Sequence, residues 1–216
     1  MTVAAIVLVP DEGVALGDAD GEPAIRRVVH AAWSGGALPI VVVAEDSDGK
    51  VAAAIAEMPA SLSRPGPDEP KGVAWLVHGQ KAAAAAVSET TAGLLWPARC
   101  AWVDPETVTS LVEAHGPAQE QIIRPAFSGQ AGFPILVPQT LREKLLERID
   151  LHGFQAVEAL IASGTPHRIL ELGDPGIVFD VTTPRSELPG YQGPPQPEGT
   201  SPEWNAELAA QAQAAE

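Results

Sequence analysis

The chain has 216 residues, enough for one sizeable core and too few for two full domains. Its 28 acidic residues against 13 basic ones leave a net charge of −15, which excludes a surface built to neutralise a phosphate backbone, so nucleic acid is not an expected partner. Lysine is confined to Lys50, Lys71, Lys81 and Lys144, so a triphosphate clamp would have to use arginine, backbone amides or a metal.

From the amino terminus, Val3 to Val9 is a continuous apolar, β-branched run, the pattern of a strand covered on both faces. Asp11 and Glu12 follow it at once, so it reads as a strand and not a signal peptide, and no apolar run approaches the roughly 20 residues needed to cross a bilayer. Pro23 opens a helix carrying Ile25, Val28, Val29, Ala32 and Trp33 on one face and closed by Gly35-Gly36, and Ile40 to Ala44 is a second strand. This strand, helix, strand order is a βαβ unit. Lys50 to Glu57 suits a short helix, and the four prolines between Met58 and Lys71 read as a surface loop.

Val73 to Val77 is expected as a third strand with His78-Gly79 in the loop at its end, and alanine-rich Lys81 to Ala92 as a helix. Asp104-Pro105-Glu106 supplies a cap, a proline and an acidic first turn for a helix reaching about His115. The stretch from Arg124 to Pro138 sets Gly129, Gly132 and Pro134 between the apolar runs Ile122-Ile123 and Ile135 to Val137, an exposed backbone corner open to close approach by a ligand. Gln139 to Ile149 and His152 to Ser163 read as helices. Arg168 to Leu172 and Ile177 to Val181 read as strands joined by a hairpin turn at Gly173-Asp174-Pro175-Gly176.

These βα repeats imply an α/β fold with a mostly parallel sheet over residues 1–188, followed by a Pro/Gly-rich tail, 189–216, ending in a short helix. Ligands of such folds bind at the carboxyl ends of the strands, here the loops after Val9, Ala44, Val77 and Trp96. The single cysteine, Cys100, fits a reducing cytoplasm and reads as a buried structural thiol. The five histidines show no zinc spacing, and Ser128-Gly129 lacks a Gly-x-Ser-x-Gly elbow, so neither a zinc site nor a hydrolase is expected.

Three segments together resemble the MobA-like nucleotidyltransferase family, within it the molybdenum-cofactor cytidylyltransferase branch. Gly132-Phe133-Pro134, after Arg124 and Gly129, is similar to the family's Gly-x-Pro corner. Val103 to Val108 resembles the helix start behind its Asp-x-Pro metal loop, and Asp180 to Pro184 resembles its late Asp-Ile-Asp-Thr-Pro motif. The resemblance, over roughly residues 3–188, implies a single-domain three-layer sandwich of nucleotidyltransferase (glycosyltransferase-A-like) architecture, with nucleotidyl transfer assisted by Mg²⁺.

The chain departs from the family where the chemistry would be. The phosphate-loop position, with Asp11, Glu12, Gly13 and Gly17, carries Asp18 and Asp20 as well, and Pro10 removes an amide donor. A carboxylate about 4 Å from a phosphate charge costs on the order of 1 kcal/mol even in water. Arg99 stands where the metal-binding aspartate belongs, and a guanidinium cannot ligate magnesium. Of the late acids Asp180 remains, with Thr182 in the second aspartate position.

Two functions are therefore expected. The first is a silent member that uses Arg99, Arg124 and the corner residues Gly129, Gly132, Phe133 and Pro134 to hold a nucleotide, another phosphorylated small molecule or a protein partner. The second is an active Mg²⁺ enzyme, with Asp180 as its remaining catalytic carboxylate, that transfers NMP from an NTP to a molybdopterin-type acceptor.

Overall fold

A computed structural model of the protein describes residues 2–149, 151 and 154–193. Eight strands form one sheet: β1 (Thr2–Leu8), β2 (Ile40–Val43), β3 (Ala60–Ser63), β4 (Thr90–Pro97), β5 (Ile122–Phe127), β6 (Gln130–Ala131), β7 (Ile135–Pro138) and β8 (His167–Glu171). Their order is β3-β2-β1-β4-β7-β5-β6, with β8 paired to β5. The ladders β3-β2, β2-β1, β1-β4 and β5-β8 are parallel, whereas β7 runs antiparallel to both β4 and β5. The sheet is thus mixed.

The apolar run of β1 is explained by two cores. Val3, Ala5, Val7 and Val9 enter one, and Ala4, Ile6 and Leu8 enter the other, as the two-residue period of a strand requires. Ile40 and Val42 of β2 face the first core and Val41 and Val43 the second. The first core is closed by helices α2 (Ala24–Ser34) and α5 (Pro105–His115), with α1 (Glu12–Leu16) and α3 (Lys50–Ile55) at its margin. The second is closed by α4 (Val73–Ala86), α6 (Arg142–Leu146) and α7 (Gln155–Ala162).

Several expectations require correction. Val73 to Val77 is not a strand but the first turns of α4, which therefore also contains His78 and Gly79. Val73, Ala74, Trp75, Leu76 and Val77 are all buried, and a helix covered on every side loses the alternation of apolar and polar residues that would distinguish it from a buried strand. The helix ends at Ala86, and Thr90 already belongs to β4. The proline-rich segment contains β3, a terminal strand of four residues between Pro59 and Pro65. Trp33 leaves the buried face of α2 and is 49% exposed.

Ile177 to Val181 is no strand. Asp174 caps a 3-10 turn over Pro175–Ile177, its carboxylate accepting from the Gly176 amide at 2.8 Å, and β8 pairs in parallel with β5 instead of forming a hairpin. Residues 139–149 hold a 3-10 turn and the short α6 in place of one long helix. The first residues of the expected tail stay on the domain, since the Gln192 amide donates to the Gly173 carbonyl at 2.7 Å. The terminal helix expected there lies outside the described residues.

Candidate functional site

The carboxyl ends of β1 and β4 open onto a cavity of about 350 Å³. Leu8, Pro10, Asp11 and Val14 line it from the first loop, Pro97, Ala98 and Arg99 from the turn after β4, Gly72 and Trp75 from the start of α4, and Phe154 from the segment before α7. Apolar walls dominate, and among the described residues Asp11 and Arg99 are the charged groups that line it. Lys71 pins the rim: its ammonium donates to the Pro10 carbonyl at 3.2 Å, pairs with Glu45 at 3.3 Å and sits 5.3 Å from the centroid of the Trp75 ring.

The loop after β1 uses its carboxylates internally. Asp11 Oδ1 accepts from the amides of Gly13 at 2.9 Å and Val14 at 3.3 Å, capping α1. Those amides, which in a phosphate loop would face an anion, already have one from their own chain. Glu12 accepts from the Asp46 amide at 2.7 Å, Asp18 from the Gly21 amide at 3.1 Å, and Asp20 pairs with Arg185 at 3.0 Å. Gly17 closes α1 with extended backbone.

Arg99 and Asp180 meet. The guanidinium Nε lies 3.2 Å from Asp180 Oδ2, while Oδ1 accepts from the amide and hydroxyl of Thr182 at 3.0 and 2.6 Å. The Val181 amide donates to the Arg99 carbonyl at 3.0 Å, and the Trp102 indole donates to the carbonyls of Asp180 and Thr183 at 2.9 and 3.0 Å. The late motif is therefore docked on the turn after β4. Next to Arg99, Cys100 is buried, and burial pushes its thiol up to about 12 against the opposing pull of Arg99, which suits a structural thiol.

Neither acidic place suits the family's divalent ion. At the motif position a guanidinium occupies the free oxygen of Asp180. Elsewhere Glu12, Asp46 and Asp48 bring ligand oxygens within 4.8 Å of one another. Asp46 already accepts from the amides of Val51 and Ala52 and pairs with Arg64 at 2.9 Å, and Asp48 pairs with Lys50. The positive charge there is supplied by side chains.

The other expected site residues are dispersed. Arg124 Nη1 pairs with Glu158 of α7 at 2.6 Å and does not line the cavity. Ser128 and Gly129 turn β5 into β6 with positive φ at both, and the Gly129 amide donates to Glu171. Gly132 lies against Ile177, whose carbonyl oxygen occupies the place of a Cβ, and the Phe133 amide donates to that carbonyl at 3.0 Å. Phe133, followed by a cis bond to Pro134, packs edge-on against Phe154 at 4.7 Å and so reaches the cavity wall indirectly. Trp75 and Phe154 were not foreseen as wall residues, nor Lys71 at the rim, because the first was assigned to a strand and the other two depend on long-range contacts.

Among the described residues no helix is long and apolar enough to cross a membrane. The MobA-like NTP transferase domain matches residues 15–167, beginning beyond Asp11 to Val14 and ending before Asp180. Similar solved structures include the manganese complex of the Mycobacterium tuberculosis H37Rv protein Rv0371c, 20% identical over 79% of this chain and 88% of that one, with a TM-score of 0.61. A nucleotidyl transferase from Methanothermobacter thermautotroptrophicus is 18% identical over 83% of this chain and 91% of its own, with a TM-score of 0.65. Molybdopterin-guanine dinucleotide biosynthesis protein A from Archaeoglobus fulgidus is 13% identical over 78% and 83%, with a TM-score of 0.55. No curated protein matches the chain significantly. The family match spans well over half of the sequence, and the chain belongs to the MobA-like NTP transferase domain family.

Proposed function

We propose that this protein is a catalytically silent member of its family that binds a nucleotide or another phosphorylated, cofactor-like molecule at the ends of β1 and β4 without a divalent metal. The observation that carries the reading is the Arg99–Asp180 pair at 3.2 Å. Two positions that hold a metal in the family here neutralise each other, and a metal would meet the guanidinium before the carboxylate. The self-capped first loop supports the same conclusion, since its amides and charge disfavour a triphosphate. The walls formed by Leu8, Val14, Trp75, Pro97 and Phe154 suit a flat ring such as a base or pterin, with Arg99 as the cation for one phosphate group.

A second reading, an active transferase that moves NMP to a molybdopterin-type acceptor with Mg²⁺, draws on family membership and on the exposure of the Arg99 side chain, 58%, which leaves it room to swing away from Asp180. Calorimetry with CTP, GTP and ATP, with and without magnesium, separates the two, together with an assay for pyrophosphate. Metal-independent binding and no pyrophosphate are expected. Magnesium-dependent binding with pyrophosphate release would overturn the silent reading.

A further inference from the structure

Away from the cavity, three side chains from β3, the following loop and α4 form a hydrogen-bonded line. Ser63 Oγ lies 2.8 Å from His78 Nε2, and His78 Nδ1 lies 3.1 Å from Glu69 Oε2. The carboxylate is itself held, because Glu69 Oε2 accepts from the Gly66 amide at 3.0 Å. With a proton on Nδ1 donated to Glu69, Nε2 offers its lone pair to the Ser63 hydroxyl. A nucleophile, a base and a group that orients the base thus stand in the order that acyl transfer requires.

We propose that Ser63, His78 and Glu69 form a nucleophilic serine site for small carboxylic esters. The placement follows from the fold. β3 directs Ser61 and Ser63 to the α4 side of the sheet and Leu62 to the other core. α4 is fixed on that side by Trp75, Leu76 and Val77, which pack with Val41 and Val43 of β2, so His78 is held above the end of β3. Because β3 is the terminal strand among the described residues, its amides on the side away from β2 face no other described strand and are the donors the proposal assigns to the oxyanion. Ser63 is half-buried, and His78 and Glu69 are 24% and 33% exposed in their side chains, so the three side chains are open to a small ester from solvent.

In the reaction Ser63 Oγ bonds to the carbonyl carbon and its proton passes to His78 Nε2. The bond from that carbon to the leaving alkoxide breaks, and the alkoxide takes the proton from His78. Water, deprotonated by the same nitrogen, then attacks the acyl-serine, releasing the carboxylic acid and restoring the hydroxyl. Glu69 orients the imidazole and offsets its charge while it is protonated. None of the three residues lines the cavity at β1 and β4, so the proposal stands whether or not that cavity binds a phosphorylated ligand.

The test is covalent labelling of the full chain with a fluorophosphonate, read by peptide mass spectrometry, alongside hydrolysis of p-nitrophenyl acetate. A single adduct on Ser63 is expected, absent in Ser63→Ala. The rate should fall about 100-fold or more in His78→Gln and about 10-fold in Glu69→Gln, within the range of general-base contributions. If His78→Gln does not fold, labelling and hydrolysis in Glu69→Gln carry the test. No adduct at Ser63, or labelling that neither substitution at His78 nor at Glu69 slows, overturns the proposal.

Discussion

The guanidinium of Arg99 stands 3.2 Å from the carboxylate of Asp180, and the backbone joins the two segments again through the Val181 amide and the Arg99 carbonyl. On the proposed reading, a charge swap at one position puts this side-chain bridge where a metal bridge would stand. Arg99→Asp should reverse this. Two carboxylates would then face each other, and magnesium or manganese binding should appear with a dissociation constant on the order of 10⁻³ M, as for a weak carboxylate site. Titration calorimetry of wild type and variant decides it, and absence of any gain would break the assignment of Arg99 to the family's metal position.

Removing the cap of α1 should have two opposite effects. Asp11→Ala is expected to cost about 1 kcal/mol of stability, as for loss of an N-cap. It should also strengthen metal-free CTP or ATP binding about five-fold, the equivalent of roughly 1 kcal/mol for one carboxylate removed from the neighbourhood of a phosphate. Urea unfolding and calorimetry read the two effects separately. Weaker nucleotide binding in the variant would mean that Asp11 contacts the ligand favourably.

The two glycines of the β5–β7 corner should respond differently to alanine. At Gly132 the Ile177 carbonyl fills the space of the new Cβ, so the backbone must move and a loss of about 2–3 kcal/mol is expected. At Gly129 the surroundings are open and the strain comes from φ +78 alone, for which about 1 kcal/mol is expected. Denaturant midpoints for Gly132→Ala and Gly129→Ala test the order, and equal losses would contradict it.

His115 gives a pH dependence whose sign is fixed by burial. It is fully buried at the end of α5, with Nε2 3.0 Å from the Thr91 hydroxyl, and burial lowers its pKa below the ordinary 6.5. The unfolded chain therefore takes up a proton at higher pH than the folded one, and stability falls as pH drops from about 6.5 through the window down to the lowered value. In His115→Gln this segment of the stability curve should flatten. Unfolding free energies measured between pH 7 and 5 check it, and an unchanged slope would place the dependence elsewhere.

What could be read from the sequence depended on how local the signal was. Asp104-Pro105 announced α5 because a cap, a proline and an acidic turn act on the adjacent amides, and Asp104 does accept from the Glu106 amide at 3.0 Å. Arg99 and Asp180 could each be singled out because both lie at fixed offsets from recognisable segments, but their pairing depends on a long-range contact that only the structure gives. Val73 to Val77 misled because five buried apolar residues have the same appearance on a strand as on a fully enclosed helix. That misreading hid Trp75 as a cavity wall and His78 as a neighbour of Ser63. β3 escaped notice because Ala-Ser-Leu-Ser owes its extended form to pairing with β2, not to its own preferences. Arg124 was drawn toward the ligand by analogy, but Glu158, contributed by a different element, holds it.

The alternation along β1 bears on how the protein comes apart. Val3, Ala5, Val7 and Val9 belong to one helix layer and Ala4, Ile6 and Leu8 to the other, with β2 and β4 hydrogen-bonded on either side. Neither layer can melt and leave its half of this strand buried, so the two behave as one cooperative unit with β1 as the shared wall. Its amides should exchange with solvent only through global opening, whereas those of β3 and β8, at the margins of the sheet, exchange through smaller local excursions. The strand that leads into the cavity at β1 and β4 is then the last to lose its structure, and Ser63, on the terminal strand, sits on the part of the sheet that opens first.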